Sequence, residues 1–173
     1  MANQSSQVIT DLDATPVVRL NQIKDGARVK EKIAVLAMTT GAAADIKRFV
    51  RVPSRARIGA VLMRNTDLDS NGTPTLATDI GLYRTAADGG AVVDADFFAS
   101  AITQLQAAVV NFTDVTYESG VVTAANSGKR IWEALALAAD PGVDYDVALT
   151  YTTGAATHAN GDVAVKVQYV VDE

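Results

Sequence analysis

Two stretches near the end of the chain alternate apolar and polar residues without a break. Tyr145, Val147, Leu149 and Tyr151 alternate with Asp144, Asp146, Ala148, Thr150 and Thr152. Val163, Val165, Val167, Tyr169 and Val171 alternate with Ala164, Lys166 and Gln168. Successive side chains of an extended chain point to opposite faces, so a period of two marks half-buried antiparallel strands. The small, polar run 154–161 between them suits a hairpin connection. Residues 33–38 and 58–63 are apolar at both parities, as expected of central strands or of a strand that faces a partner. The stretch 46–52 alternates imperfectly and stops at Pro53, which has no N–H for a ladder. Residues 78–85 set Ile80, Leu82 and Arg84 on one face and Asp79, Gly81 and Tyr83 on the other. Shorter strand candidates cover 107–112 and 115–117.

Two segments read as short helices. Phe98, Ile102 and Leu105 share a helical face, with Asp94 or Asp96 as the N-cap. Ser127 is placed to cap 129–138, where Ile131, Leu135 and Ala138 form a stripe with Trp132 beside them. Asp140-Pro141-Gly142 then ends that segment as a turn. Trp132 reads as core, because large aromatic rings dominate interiors. About eight strands with one or two short helices define an all-β fold, an antiparallel β-sandwich of jelly-roll type. Residues 29–173 form that domain, and residues 1–28 an extended N-terminal arm. Met1 to Pro16 is polar with few apolar residues, Val17-Val18-Arg19-Leu20 is a short apolar segment, and Lys24-Asp25-Gly26 reads as a turn. Such a segment cannot bury enough surface to offset its own ordering. It is either a frayed terminus or an arm that orders on a neighbouring subunit through Val8, Ile9, Val17, Val18 and Leu20.

Composition removes much of enzyme chemistry. The 173 residues include no Cys and a single His. Disulfides, thiol nucleophiles, zinc–thiolate sites and multi-histidine metal sites within one chain are therefore excluded. The start lacks a signal-peptide pattern, and no run of about 18 apolar residues suggests a membrane helix. The net charge of -5 is unevenly spread: 11 basic and 5 acidic residues through Asn65 give +6, and 4 basic and 15 acidic residues beyond it give -11. That asymmetry suits a molecule that docks with a defined orientation. Nucleic acid is not an expected partner, since the basic residues are scattered and no recognition motif is present.

Asp67-Leu68-Asp69-Ser70-Asn71-Gly72 opens like a calcium loop, with Asp67, Asp69 and Asn71 as candidate ligands. Its twelfth position is Thr78 rather than a bidentate Glu, and a hairpin loop with an Asn-Gly turn competes with that reading. Asp94 with Asp96, and Asp144 with Asp146, could in principle run a two-carboxylate hydrolysis. A solvated outer face explains Asp144 and Asp146 well, and aromatics at 6% are few for sugar platforms. His158 lies in a loop without a serine elbow or phosphate loop anywhere in the chain, so it reads as an exposed loop histidine. No catalytic residue and no cofactor are expected. One basic cluster stands out around Val52-Pro53-Ser54: Lys47, Arg48, Arg51, Arg55, Arg57 and Arg64. Lys47, Arg51, Arg55 and Arg57 are the candidate interface cations, against the alternative of a charged edge that discourages aggregation.

The chain resembles small virion proteins of tailed bacteriophages, of the head decoration or minor capsid type. Arg48-Phe49-Val50-Arg51-Val52-Pro53, Asp79-Ile80-Gly81-Leu82-Tyr83-Arg84 and the run from Gly89 to Phe98 carry the resemblance. Lys129-Arg130-Ile131-Trp132-Glu133-Ala134-Leu135 and Asp144-Tyr145-Asp146-Val147-Ala148-Leu149 extend it over most of residues 30 to 171. No site residue comes with it. The resemblance implies a non-enzymatic β-rich protein, made in the host cytoplasm and assembled onto the virion. Its expected partners are the major capsid protein or other virion proteins, and its expected state a homo-oligomer such as a trimer. The alternative is a tail- or fibre-associated module that recognises a cell-surface glycan, which calls for exposed aromatics on one loop face.

Overall fold

In the computed structural model, which describes residues 14–16, 28–118 and 122–171, the apolar segments become eight strands. They are β1 (Lys30–Met38), β2 (Ile46–Pro53), β3 (Ala56–Asn65), β4 (Ala77–Arg84), β5 (Val92–Ile102), β6 (Val109–Asp114), β7 (Asp144–Thr153) and β8 (Gly161–Val171). One sheet has the order β1-β8-β3-β6 and the other β2-β7-β4-β5. Every pairing between these strands is antiparallel, including β1 with β8, β2 with β7, β3 with β6 and β4 with β5. That nesting is what results when a long hairpin, folded at its middle, is rolled over a core. The architecture is an eight-stranded jelly roll, as the sequence pattern anticipates.

The regular alternation of β7 and β8 explains why they sit inside their sheets. Tyr145, Val147, Leu149 and Tyr151 of β7 face Val163, Val165, Val167 and Tyr169 of β8 within one core cluster. Met38, Val61, Met63, Ile80, Leu82, Phe97 and Phe98 also belong to it, each at most 2% exposed. Burying a side chain of this size contributes about 1.5–3 kcal/mol, so the layer between the sheets holds the molecule together. At one corner, Lys32 donates its Nζ to the Arg51 carbonyl over 2.6 Å and ties β1 to β2.

Three local expectations change. The helix read over Phe98 to Leu105 is mostly strand β5, followed by a short 3₁₀ turn over Gln104–Gln106. Its pairing with β4 shifts register three times, at Thr78/Ile80, Ile80/Leu82 and Leu82/Tyr83. Those bulges put the consecutive rings of Phe97 and Phe98 both in the core, edge to face at 4.9 Å. They also carry the β5 backbone over Gly81, where a Cβ would lie 2.1 Å from the Asp94 carbonyl oxygen. Residues 115–117 form a turn rather than a strand. The second helix is one turn, α1 (Ile131–Ala134), capped at Arg130 instead of Ser127. Glu133 there accepts the Arg130 N–H at 2.7 Å. Ile131 is buried in the core, whereas Trp132 beside it is half-buried and outside the core cluster.

Candidate interaction surface

The basic positions on β2 are largely satisfied within the chain. Arg51 Nε donates to Asp146 Oδ1 at 2.7 Å, and Arg48 Nη1 reaches Asp146 Oδ2 at 3.3 Å. Arg48 also donates to the carbonyls of Arg84 and Gly90, each at 2.8 Å, and stacks over Tyr83. Lys47 donates to Thr40 at 2.6 Å and lies 3.4 Å from Asp45. Asp146 therefore differs from the solvated residue read from the alternation. It stays on the outer face of its sheet, but the two arginines roof it and leave it 5% exposed. Arg57 departs from the expected ridge altogether: it is 6% exposed and donates to the Gly128 carbonyl at 2.5 Å, near Glu133. Arg51, half exposed, and Arg55, also exposed, are the cations of this edge that can meet a partner. Val8, Ile9, Val17, Val18 and Leu20 lie outside the described residues.

The Asp67–Gly72 loop has a clear structural explanation. Asp69, 1% exposed, accepts four backbone N–H groups: Thr75 at 2.8 Å, Leu76 at 3.1 Å, Ala156 at 3.0 Å and Thr157 at 2.9 Å. Burial alone would raise its pKa, but the amides of Thr157, Thr75, Ala156 and Leu76 outweigh it and hold the carboxyl far below the usual range. Asp67 accepts the Asp69 N–H at 3.0 Å, and Asn71 accepts the Thr73 N–H at 2.9 Å. The three calcium candidates are thus engaged with the backbone. Among the described residues no group of three or more His, Asp or Glu is placed to hold a metal ion.

Asp94 is pushed up by burial and by its hydrogen bond and proximity to Asp96. Asp79 is likewise raised by burial, with Asp96 nearby, while it accepts the Ala101 N–H at 2.7 Å. Ala101 has φ 50°, a left-handed conformation that this bond stabilises. His158 is not the exposed histidine of the sequence reading. Its Nδ1 is buried without a partner, its Nε2 lies 3.2 Å from Asn160, and Gly41 packs directly against the ring. For glycan binding, Tyr117 is the one aromatic among the large exposed apolar residues described.

A surface absent from the sequence reading lies on the outer face of β1-β8-β3-β6. Ile33 and Val35 of β1 are 56% and 63% exposed, and Val110 of β6 is 80% exposed. Between them run Ala164, Lys166 and Arg64, with Phe112 under the two cations. A groove of about 370 Å³ crosses this face, lined by Val35, Ala164, Arg64, Val109 and Val110. Apolar residues on both faces of β1 were the available signal. β1 lies at the edge of its sheet, which corrects the central-strand alternative for residues 33–38.

Comparison with known proteins agrees with the fold. No protein-family model matches the chain, and no curated protein matches it. Among solved structures it is similar to a chain in the capsid asymmetric unit of cyanophage Pam1. That match has a TM-score of 0.59 and 26% identity over 83% of this chain and 85% of that one. It is also similar to a chain in the capsid of Ralstonia phage GP4, with a TM-score of 0.57 and 20% identity over 90% and 92% of the two chains. The resemblance to bacteriophage virion proteins, read from the sequence, therefore extends to the three-dimensional fold.

Proposed function

We propose that this protein is a structural component of a bacteriophage virion that decorates or cements the capsid through subunit–subunit contacts. The observation that carries the reading is the match to the Pam1 capsid chain, which spans more than four fifths of both proteins. The surface chemistry supports it. The two most buried carboxylates, Asp69 and Asp146, are tied to backbone amides and to arginines. Ile33, Val35 and Val110 expose apolar area together on one sheet face. An adhesive protein functions by burying such area, and stable interfaces bury about 1,200–2,000 Å² in total.

In this reading the partners are the major capsid protein or other virion proteins, and the protein self-associates. Its contacts are the exposed face of β1-β8-β3-β6, the Arg51–Arg55 edge and the arm residues Val8 and Ile9. Co-sedimentation of the purified protein with particles that lack it tests the proposal. Saturable binding at a fixed copy number supports it, and recovery of all the protein in the supernatant refutes it.

A further inference from the structure

We propose that Asn71-Gly72, and not the other described Asn-Gly pair at Asn160-Gly161, is a site of spontaneous deamidation in the folded protein, converting Asn71 to aspartate and isoaspartate. The inference is independent of the capsid reading and concerns how the chain ages. The chemistry is intramolecular. The Gly72 backbone nitrogen gives up its proton to water or hydroxide and attacks Cγ of Asn71. The new C–N bond closes a succinimide ring while the Cγ–Nδ2 bond breaks and ammonia leaves. Water then opens the ring at either carbonyl, so the net change is amide plus water to carboxylate plus ammonium. Glycine at the following position favours the step, because it has no Cβ to shield the nitrogen or restrict the backbone.

The fold treats the two pairs differently. Asn71, Gly72 and Thr73 are all exposed, in the loop between β3 and β4. A Cβ at Gly72 meets nothing within 4 Å, and among the described residues no hydrogen bond occupies its N–H. The Thr73 N–H donates to Asn71 Oδ1 at 2.9 Å, and that bond spans the Gly72 peptide. The amide carbon is thereby folded back toward the attacking nitrogen, and the oxygen that takes up negative charge already carries a donor. Asn71 Nδ2 donates to Thr157 Oγ1 at 2.9 Å, an exposed contact that the loss of ammonia gives up. At the other pair, Gly161 opens β8 and is paired with Met38 of β1. A Cβ there would run into Thr66 Oγ1. Asp162, the next residue, donates its N–H to Thr66 Oγ1 at 2.9 Å and accepts the Thr66 N–H at 3.0 Å. Asn160 Oδ1 is itself 3.2 Å from His158 Nε2. Reaction at Asn160 therefore waits on local opening of the start of β8, whereas Asn71 reacts from the folded loop. The product adds a carboxylate to the loop that already holds Asp67 and Asp69 and, as isoaspartate, lengthens its backbone.

To test this, full-length protein is incubated at mildly alkaline pH, once folded and once in guanidinium. Peptide mapping follows each Asn by the mass gain of amide-to-acid conversion. In the folded protein Asn71 should convert at least about tenfold faster than Asn160, the suppression that modest local protection confers. In guanidinium the two rates should converge, because each pair then feels only its flanking sequence. Gly72→Ala, whose added methyl meets nothing, should slow conversion at Asn71 in the folded protein by about tenfold. Comparable rates at the two sites in the folded protein overturn the proposal, as does an absence of conversion at Asn71. A preference that persists unchanged in guanidinium assigns it to the flanking residues and also overturns the proposal.

Discussion

The Asp69 carboxylate accepts the Thr157 backbone amide at 2.9 Å, across 88 positions of sequence. The same side chain holds Thr75, Leu76 and Ala156, so one acid fastens the 67–76 loop to the β7–β8 connection at one end of the roll. Removing it leaves four backbone donors, that of Leu76 buried, without this acceptor. Asp69→Ala should cost about 2–4 kcal/mol of unfolding free energy, given that hydrogen bonds to a charged group are worth about 1.5–3 kcal/mol each and are not additive. Urea denaturation measures this, and a loss under 1 kcal/mol, about one ordinary hydrogen bond, would contradict the assignment.

Protonation gives a second view of the same residue. The folded-state pKa of Asp69 lies below its unfolded value, so its stabilisation is complete above the unfolded pKa and is lost as pH falls toward the folded one. Asp140, lowered by its hydrogen bonds to Ser54 and Gly142, acts in the same direction. Asp94 has the opposite sign: its raised folded pKa means that stability is gained as pH falls through that value. Asp69→Asn should flatten the acid-side decline in stability below about pH 4, the ordinary aspartate range. Asp94→Asn should raise the melting temperature at pH 7. Thermal melts across pH 2–8, roughly bracketing these carboxylates, check both signs.

Gly81→Ala tests the crossing of β5 over β4. The added Cβ would meet backbone atoms, the Asp94 carbonyl oxygen at 2.1 Å and the Ala95 carbonyl oxygen at 2.3 Å, and neither can rotate away. A loss of about 3 kcal/mol is expected, at the upper end for overpacking. Gly72→Ala, which meets nothing within 4 Å, should be near neutral in the same assay.

The strands that can be read from the sequence are those whose surroundings are regular. β7 and β8 lie inside their sheets with clean alternation, and the sequence pattern predicts both. β5 was concealed because its bulges abolish the period of two. They leave Phe98, Ile102 and Leu105 at a spacing that imitates a helix. For the site, local spacing offers Asp69 only as a calcium candidate or as part of a solvated hairpin loop. It cannot show that the groups to be satisfied include amides 87 and 88 positions away. The burial of Asp146 was hidden for a related reason, since its cover comes from Arg48 and Arg51 on β2.

Arg55, between β2 and β3, and Arg57, on β3, divide by role. Arg57→Ala should destabilise the fold by about 1–3 kcal/mol, the range for a buried hydrogen-bonded group, with little dependence on salt. Arg55→Glu should leave the melting temperature nearly unchanged. In the capsid reading it should weaken particle binding, most visibly at low ionic strength, where surface charge is least screened. Binding isotherms at two salt concentrations separate the two residues.

The central claim is that this jelly roll acts by adhering to a virion. Quantitative mass spectrometry of purified, intact particles tests it most directly. A fixed stoichiometry to the major capsid protein, retained through washing, is the result expected. Particles of full infectivity and stability that contain none of this chain would contradict the claim.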